Sequence, residues 1–163
     1  MRMNPFPSLK TLIVVGVAIG AILYSITVMQ FERTLVIIKP DGVARGVTDA
    51  VYSLYREAGI TLIREVRIEN ACVDQLAAHY VEHIGRPFYP ALIEFMSSGV
   101  IIVSEWSGRD AIGTIRRING PTDPTKAAPD TVRGKFGSTT TRNVVHASDS
   151  SESAIREVTV WFR

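Results

Sequence analysis

Cysteine is almost absent: Cys72 is the only one among 163 residues, so no internal disulfide can form and a disulfide-stapled secreted miniprotein is excluded. Histidine is scarce as well, and Cys72, His79, His83 and His146 fall at irregular spacings that match no zinc-finger pattern. Neither G-x-x-x-x-G-K-[ST] nor G-x-G-x-x-G occurs, which removes the P-loop and Rossmann nucleotide sites, and no internal repeat is present. An excess of charge is missing too, once the charge is located. Of the 18 basic residues, Arg2 and Lys10 lie in an N-terminal stretch of 30 residues without an acid, which leaves 16 basic against 16 acidic side chains in residues 31–163. A neutral domain argues against non-specific nucleic-acid binding as its main business. The length predicts one domain with room for a substantial core.

Charge is also absent from Leu12 to Met29, and here the gap is filled by apolar residues. At about 1.5 Å per helical residue, the uncharged stretch Thr11–Phe31 is long enough to cross roughly 30 Å of hydrocarbon. A cleaved signal peptide fits poorly, because the run is long and no small-x-small cleavage motif follows it. A membrane anchor through residues 11–29 fits the length, although Arg2 and Lys10 before it and Arg33 and Lys39 after it leave the orientation tied. A wrongly chosen upstream start codon fits as well, since Met29 opens a sensible soluble domain. The organisation expected is therefore a hydrophobic leader over 1–30, either anchor or start-site artefact, and a folded domain over 31–163. The domain is expected in the cytoplasm, or else anchored to a membrane by residues 11–29.

Within the domain, Thr34–Lys39 is a β-branched run stopped by Pro40 and reads as a buried strand. Thr48 is placed to cap a helix with Val51, Leu54, Tyr55 and Ala58 on one face, ended by Gly59. Ile60–Ile68 reads as a strand with Leu62, Val66 and Ile68 on one side. Helices are expected over Val73–Ile84 and Pro90–Met96, a strand over Val100–Trp106, and a helix over Arg109–Ile118 closed by Asn119-Gly120. Arg142–His146 reads as a short strand, and Asp149 or Ser150 caps a last helix running through Glu157. This order predicts an α+β sandwich with helices over one sheet. Between the Arg109–Ile118 helix and the Arg142–His146 strand, Asn119–Gly137 reads as a long proline- and glycine-rich loop. With its neighbours it gathers Arg116, Arg117, Lys126, Arg133 and Lys135 against Asp123 and Asp130. An ordered, basic loop of this kind suits a phosphorylated ligand.

Five short motifs carry the chemistry. They are E-R-T-L-V-I-I-K-P-D-G-V-A-R-G at 32–46, H-Y-x-x-H-x-x-R-P-F at 79–88, R-x-x-x-G-x-T-x-P at 116–124, T-V-R-G-K-F at 131–136 and R-N-V-V-H-A-S-D-S at 142–150. Together, in this order and spacing, they resemble the nucleoside diphosphate kinases over essentially all of residues 31–162. The resemblance implies a ferredoxin-like antiparallel sheet with helices packed over it. It also implies a ping-pong phosphoryl transfer from a nucleoside triphosphate, typically ATP, to a nucleoside diphosphate through a phosphohistidine. His146 matches the phosphorylated histidine, and a neutral imidazole is a competent nucleophile near neutral pH. Glu157 and Ser148 match the groups that hold its other nitrogen. Lys39, Arg116 and Arg133 match the phosphate-binding cations that such a transfer needs preset, with Thr122 as a hydroxyl donor and Tyr80 nearby. Asn143 and Lys39 are expected at the sugar hydroxyls, Phe88 stacked on the base, and His83 near phosphate. Taken singly, most of these have bland readings: a solvated arginine or lysine, a core aromatic, a satisfied histidine.

Mg²⁺ is expected with the nucleotide. No carboxylate cluster in the sequence suggests a protein-made metal cage, so the metal is expected on phosphates and water, with Asp149 reaching it through water or simply capping the last helix. A homo-hexamer or homo-tetramer is implied by the resemblance, and no specific nucleic-acid partner. The sequence departs from the family pattern at Ala147, Ile115, Asp130 and Lys135, none of which removes a reacting group. The alternative function is a non-catalytic nucleotide-binding or scaffolding relative.

Overall fold

The run Thr34–Ile38 lacks the apolar–polar alternation of a half-buried strand, because both faces of its strand are covered. The computed structural model describes residues 31–163. The apolar run of residues 12–29 lies outside these, as does the question of anchor or artefact. Among the described residues no helix is long and apolar enough to cross a membrane.

Four strands, β1 (Phe31–Ile38), β2 (Thr61–Ile68), β3 (Ile101–Arg109) and β4 (Val145–Ala147), form one sheet in the order β2-β3-β1-β4. Every neighbouring pair is antiparallel. Helices α1 (Pro40–Ala44) and α2 (Thr48–Glu57) follow β1, and α3 (Val73–His79) and α4 (Tyr89–Ser97) lie between β2 and β3. Helices α5 (Ala111–Asn119) and α6 (Val132–Phe136) precede β4, and α7 (Ser151–Trp161) follows it. Taking β1, α2, β2, β3, α5 and β4 in order gives the βαββαβ skeleton of a ferredoxin-like fold, as expected.

The helices cover both faces of the sheet rather than one. On one side Val51 and Tyr55 of α2 and Ile115 of α5 pack against Val36, Ile38 and Trp106. On the other, Leu76 of α3, Phe95 and Met96 of α4 and Trp161 of α7 pack against Leu35, Ile37, Ile101 and Val103. The sheet is thus the middle layer between two apolar cores, and β1 is wholly buried from Thr34 onward.

Several local expectations need correction. Thr48 does not cap α2: Val47 occupies the cap position and no side chain bonds there. Leu62 and Ile68 do not share a face, because a bulge between Leu62 and Arg64 shifts the register. Leu62 goes to the α2 side and Ile68 to the α4 side, while Val66 is exposed. The helix expected over Val73–Ile84 ends at His79 and restarts as one 3₁₀ turn at Val81–His83. Arg109 ends β3 instead of opening a helix. Ser150, not Asp149, caps α7 by accepting from the Ser153 amide, and the helix runs on to Trp161. The stretch Asn119–Gly137 carries a 3₁₀ turn at Pro124–Lys126, capped by Asp123, and α6, capped by Thr131. Its order comes from these caps and from Val132, which is fully buried in the core with Phe136 packed against it.

Candidate active site

The site grows from the end of β1. Lys39 follows its last residue, and Pro40-Asp41-Gly42 turn the chain into α1. That turn grips the segment leading into β4. Val144 has φ 72°, a strained conformation for a β-branched residue. It is the centre of a γ-turn closed by the Val145 amide donating to the Asn143 carbonyl at 2.8 Å. Three contacts hold it. The Val144 amide donates to Asp41 Oδ2 at 3.1 Å, the Lys39 amide donates to the Val144 carbonyl at 2.8 Å, and Gly42 leaves no room for a side chain. A Cβ on Gly42 would sit 2.9 Å from Ile38 and 3.0 Å from Val144. The γ-turn explains why the expected strand at Arg142–His146 begins only at Val145, and it sets the register that brings His146 opposite Ile37.

His146 is partly exposed, at 22%. Its Nε2 lies 3.1 Å from Glu157 Oε2, and the same oxygen accepts from Ser148 Oγ at 2.7 Å. Ser148 Oγ also accepts from the Leu35 amide at 3.1 Å, which pins this string to β1. Burial raises the Glu157 pKa, but the neighbouring His146 and its hydrogen bonds outweigh it and hold the carboxyl below its ordinary value. An ionised carboxylate only accepts, so His146 carries its proton on Nε2 and keeps the Nδ1 lone pair free.

His146 lies in a cleft of about 430 Å³. Lys39, Arg116 and Arg133 line it, with Tyr80, His83, Phe88, Thr122, Asn143 and Glu157. Every expected site residue is therefore present except Ser148, which sits fully buried behind Glu157. Arg116 stands exposed at the last turn of α5. Lys39 is only 6% exposed, and donates to Asn143 Oδ1 at 2.7 Å and the Thr141 carbonyl at 3.2 Å. Burial, then the charge of Arg133, lowers its pKa to about 7. Arg133 donates to the carbonyls of Gly120 at 2.6 Å and Val145 at 2.7 Å, and its Nε is buried without a partner. Its pKa is lowered to about 10, chiefly by burial. Both donors of Asn143 are used: besides accepting from Lys39, it donates to the carbonyls of Thr122 at 2.8 Å and Thr140 at 2.9 Å. In this state it organises the loop. Tyr80 has a buried hydroxyl without a partner, and burial raises its pKa. Phe88 is 51% exposed and meets His83 at a 66° tilt, 5.4 Å between centroids. A core role for Phe88 is thereby excluded.

The cleft also contains what sequence reasoning missed. Glu82 lines its wall beside Asp149, the one carboxylate the sequence had offered to a metal, and His79 packs against His146 from behind. The task of Asp41 is invisible in its motif, because its partner Val144 is 103 positions away. The departures from the family pattern have local explanations. Ala147 pairs with Val36 in extended backbone and does not need a glycine's freedom. Ile115 is fully buried in the core, and Asp130 and Lys135 are exposed.

A ferredoxin-like sheet carrying a carboxylate-held histidine beside Lys39, Arg116 and Arg133 defines an α+β protein with a cation-lined cleft. The family model described as nucleoside diphosphate kinase matches residues 32–163. The nucleoside diphosphate kinase of Saccharomyces cerevisiae is 42% identical over 134 residues, covering 82% of this chain and 87% of that one. That of Rhodococcus opacus is 48% identical over 132 residues, covering 80% and 94%. The crystal structure of the Aquifex aeolicus nucleoside diphosphate kinase is 36% identical, with a TM-score of 0.78, covering 82% of this chain and 96% of that one. The chain belongs to the nucleoside diphosphate kinase family.

Proposed function

We propose that this chain moves the γ-phosphoryl group of a nucleoside triphosphate, typically ATP, to a nucleoside diphosphate through a phosphohistidine at His146. The observation that carries this reading is the string His146–Glu157–Ser148 at the base of a cleft lined by Lys39, Arg116 and Arg133. In the first half-reaction Nδ1 attacks the γ-phosphorus. The bond to the β,γ-bridging oxygen breaks, and the diphosphate leaves with that electron pair. Positive charge then appears on the imidazole and is met by Glu157 through Nε2–H. In the second half-reaction a β-phosphate oxygen of the acceptor diphosphate attacks the phosphohistidine, and the Nδ1–phosphorus bond returns its electrons to the ring.

The phosphoryl group spreads negative charge over its oxygens, so cations fixed in advance stabilise it. Lys39 and Arg133 are fixed by their carbonyl contacts, and Tyr80 offers an unpartnered hydroxyl. Arg116, Thr122 and His83 are read as further phosphate contacts, because all three line the cleft. Phe88, exposed at the cleft wall, offers a face for the base, and stacking accepts purines and pyrimidines alike. Lys39 and Asn143 are read as the sugar contacts, Asn143 accepting from a hydroxyl on the second lone pair of Oδ1.

Mg²⁺ fits this site as a metal carried in on phosphates. The cleft-lining carboxylates are Glu82, Asp149 and Glu157, and Glu157 is already engaged. Mg²⁺ keeps several waters and takes few protein ligands, so Asp149 is the residue that would hold it through water. The metal would neutralise charge on the phosphates.

The open edge of the sheet supports assembly into a homo-tetramer or homo-hexamer: β2 is an edge strand with Ile63 and Val66 exposed. The cytoplasm is the compartment that supplies the triphosphate.

Incubation with γ-labelled ATP tests the reading. An acid-labile label is expected on the wild type and none on His146→Ala. Absence of label from the wild type, or its retention by His146→Ala, defeats it.

A further inference from the structure

His79 is a deeply buried titratable group that the transfer does not use. It is 1% exposed and sits at the end of α3, where the chain breaks before Tyr80. Its ring meets that of His146 at 78°, with centroids 4.6 Å apart. Trp161, in the last turn of α7, donates from Nε1 to His79 Nδ1 at 3.1 Å. An indole nitrogen is a donor only, so Nδ1 of His79 is an acceptor and the proton of the neutral ring resides on Nε2. That Nε2 is buried without a partner.

One ring nitrogen of each histidine and a carboxylate oxygen of Glu157 lie within 4.8 Å of one another, which has the outline of a metal site. The tautomer argues against a metal. Nδ1 is occupied by the indole proton and Nε2 carries its own, so neutral His79 has no free lone pair to give.

We propose that His79 is a positioning residue for His146: a neutral ring, locked in one tautomer by Trp161, that walls off the back of the nucleophile and holds it on Glu157. The proposal rests on His146 being the phosphoryl acceptor. His146 has only one strong tether, the contact of Nε2 with Glu157. A ring held at one edge turns about χ2 unless a second surface blocks it. The edge-to-face contact with His79 supplies that surface, and Tyr80, at 81° and 5.9 Å between centroids, supplies another. Turning the His146 ring over would carry Nδ1 away from the cleft.

The wall must also be uncharged. The charged and titratable groups facing His79 are His146 from β4, Glu157 and Arg156 from α7, and Tyr80 and His83 from the break after α3. Burial first, then the charge of His146, keeps His79 well below the ordinary imidazole pKa. A cation at this position would compete with His146 for Glu157 and repel the charge that develops on the attacking ring.

The test uses the full chain, with the state of His146 read by ring-nitrogen NMR and phosphorylation by γ-labelled ATP followed in single turnovers across pH. In the wild type His146 is expected as the Nε2–H tautomer. His79→Asn keeps an acceptor but removes the wall. It is expected to give mixed His146 tautomers, about 10- to 100-fold slower phosphorylation, and an acid limb moved up by about half to one pH unit as water reaches the ring. His79→Phe restores an uncharged wall and is expected to return the tautomer and the acid limb to wild-type values. A His79→Asn variant with unchanged tautomer and limb overturns the proposal, as does a His79→Phe variant that behaves like His79→Asn. Should His79→Asn not fold, Trp161→Phe frees the His79 tautomer without touching the wall. It is expected to raise the acid limb, and an unmoved limb overturns the proposal. Failure of the wild type to take label refutes the phosphohistidine, while the His146 tautomer in the variants still decides the role of His79.

Discussion

Glu157→Gln isolates the charge on the residue that holds the nucleophile while keeping its shape. Glu157 Oε2 lies 3.1 Å from His146 Nε2. At that separation a full charge on each partner interacts by about 5 kcal/mol at an effective dielectric of about 20. The transition state is loose and the nucleophile only partly bonded, so roughly half a charge has formed on the ring, worth about 2.5 kcal/mol. Dividing by about 1.4 kcal/mol per tenfold gives a phosphorylation step slowed by about 100-fold. The amide adds a second loss when its NH₂ faces the ring, since it then donates to Nε2 and favours the tautomer with Nδ1 protonated. The assay is rapid-quench phosphorylation by γ-labelled ATP in a single turnover, with ADP affinity measured in parallel. Affinity is expected within about threefold of wild type, because Glu157 faces the ring and not the phosphates. A folded Glu157→Gln enzyme that phosphorylates within about threefold of the wild-type rate refutes the electrostatic role assigned to Glu157.

Lys39, with a pKa lowered to about 7, regains its proton when a polyphosphate binds. Calorimetry at pH 7.5 in buffers of different ionisation enthalpy is expected to show proton uptake, and Lys39→Met is expected to abolish it; uptake that survives the substitution contradicts this. The same depression means that the unfolded chain holds a proton the folded one lacks between about pH 7 and 10.5, so Lys39 makes stability rise with pH across that window. Gly42→Ala forces a Cβ to 2.9–3.0 Å from Ile38 and Val144. It is expected to cost about 1–3 kcal/mol in urea unfolding and to slow phosphorylation by shifting the Val144 turn, whereas an unchanged midpoint denies the clash. Phe88→Ala is expected to weaken ADP binding by about 1–2 kcal/mol, roughly 5- to 30-fold, without weakening inorganic phosphate; equal losses for both ligands contradict stacking. His79, with its pKa lowered, lets the unfolded state bind more protons below about 6.5, so stability falls as pH drops through that range, by up to about 1.4 kcal/mol per pH unit. Glu157, also lowered, adds a loss of the same sign below about 4.5. Urea midpoints from pH 7 to 5 measure the first, and His79→Phe is expected to flatten it.

The sequence by itself determined what depends on residues close in the chain. The run Thr34–Ile38 specifies a fully buried strand, and Asp149-Ser150 marks the start of α7, with the structure choosing Ser150 as the cap. The five motifs in register specify the family, because the side chains that a shared chemistry needs stay particular whatever lies between them. Tertiary structure decided what depends on residues far apart. The β2 bulge, which separates Leu62 from Ile68, arises from pairing with β3, and pairing is invisible in a single strand. The strained turn at Val144 exists because Asp41 and Gly42 hold it from 100 positions away. The tautomer of His79 depends on an indole 82 positions later. The free Nδ1 lone pair of His146 follows from Glu157 and Ser148 being set against β1. Motifs name chemical groups, but a ring's orientation and its proton are set by whatever packs against it. Packing partners are chosen by the fold, and the order of residues along the chain does not display them.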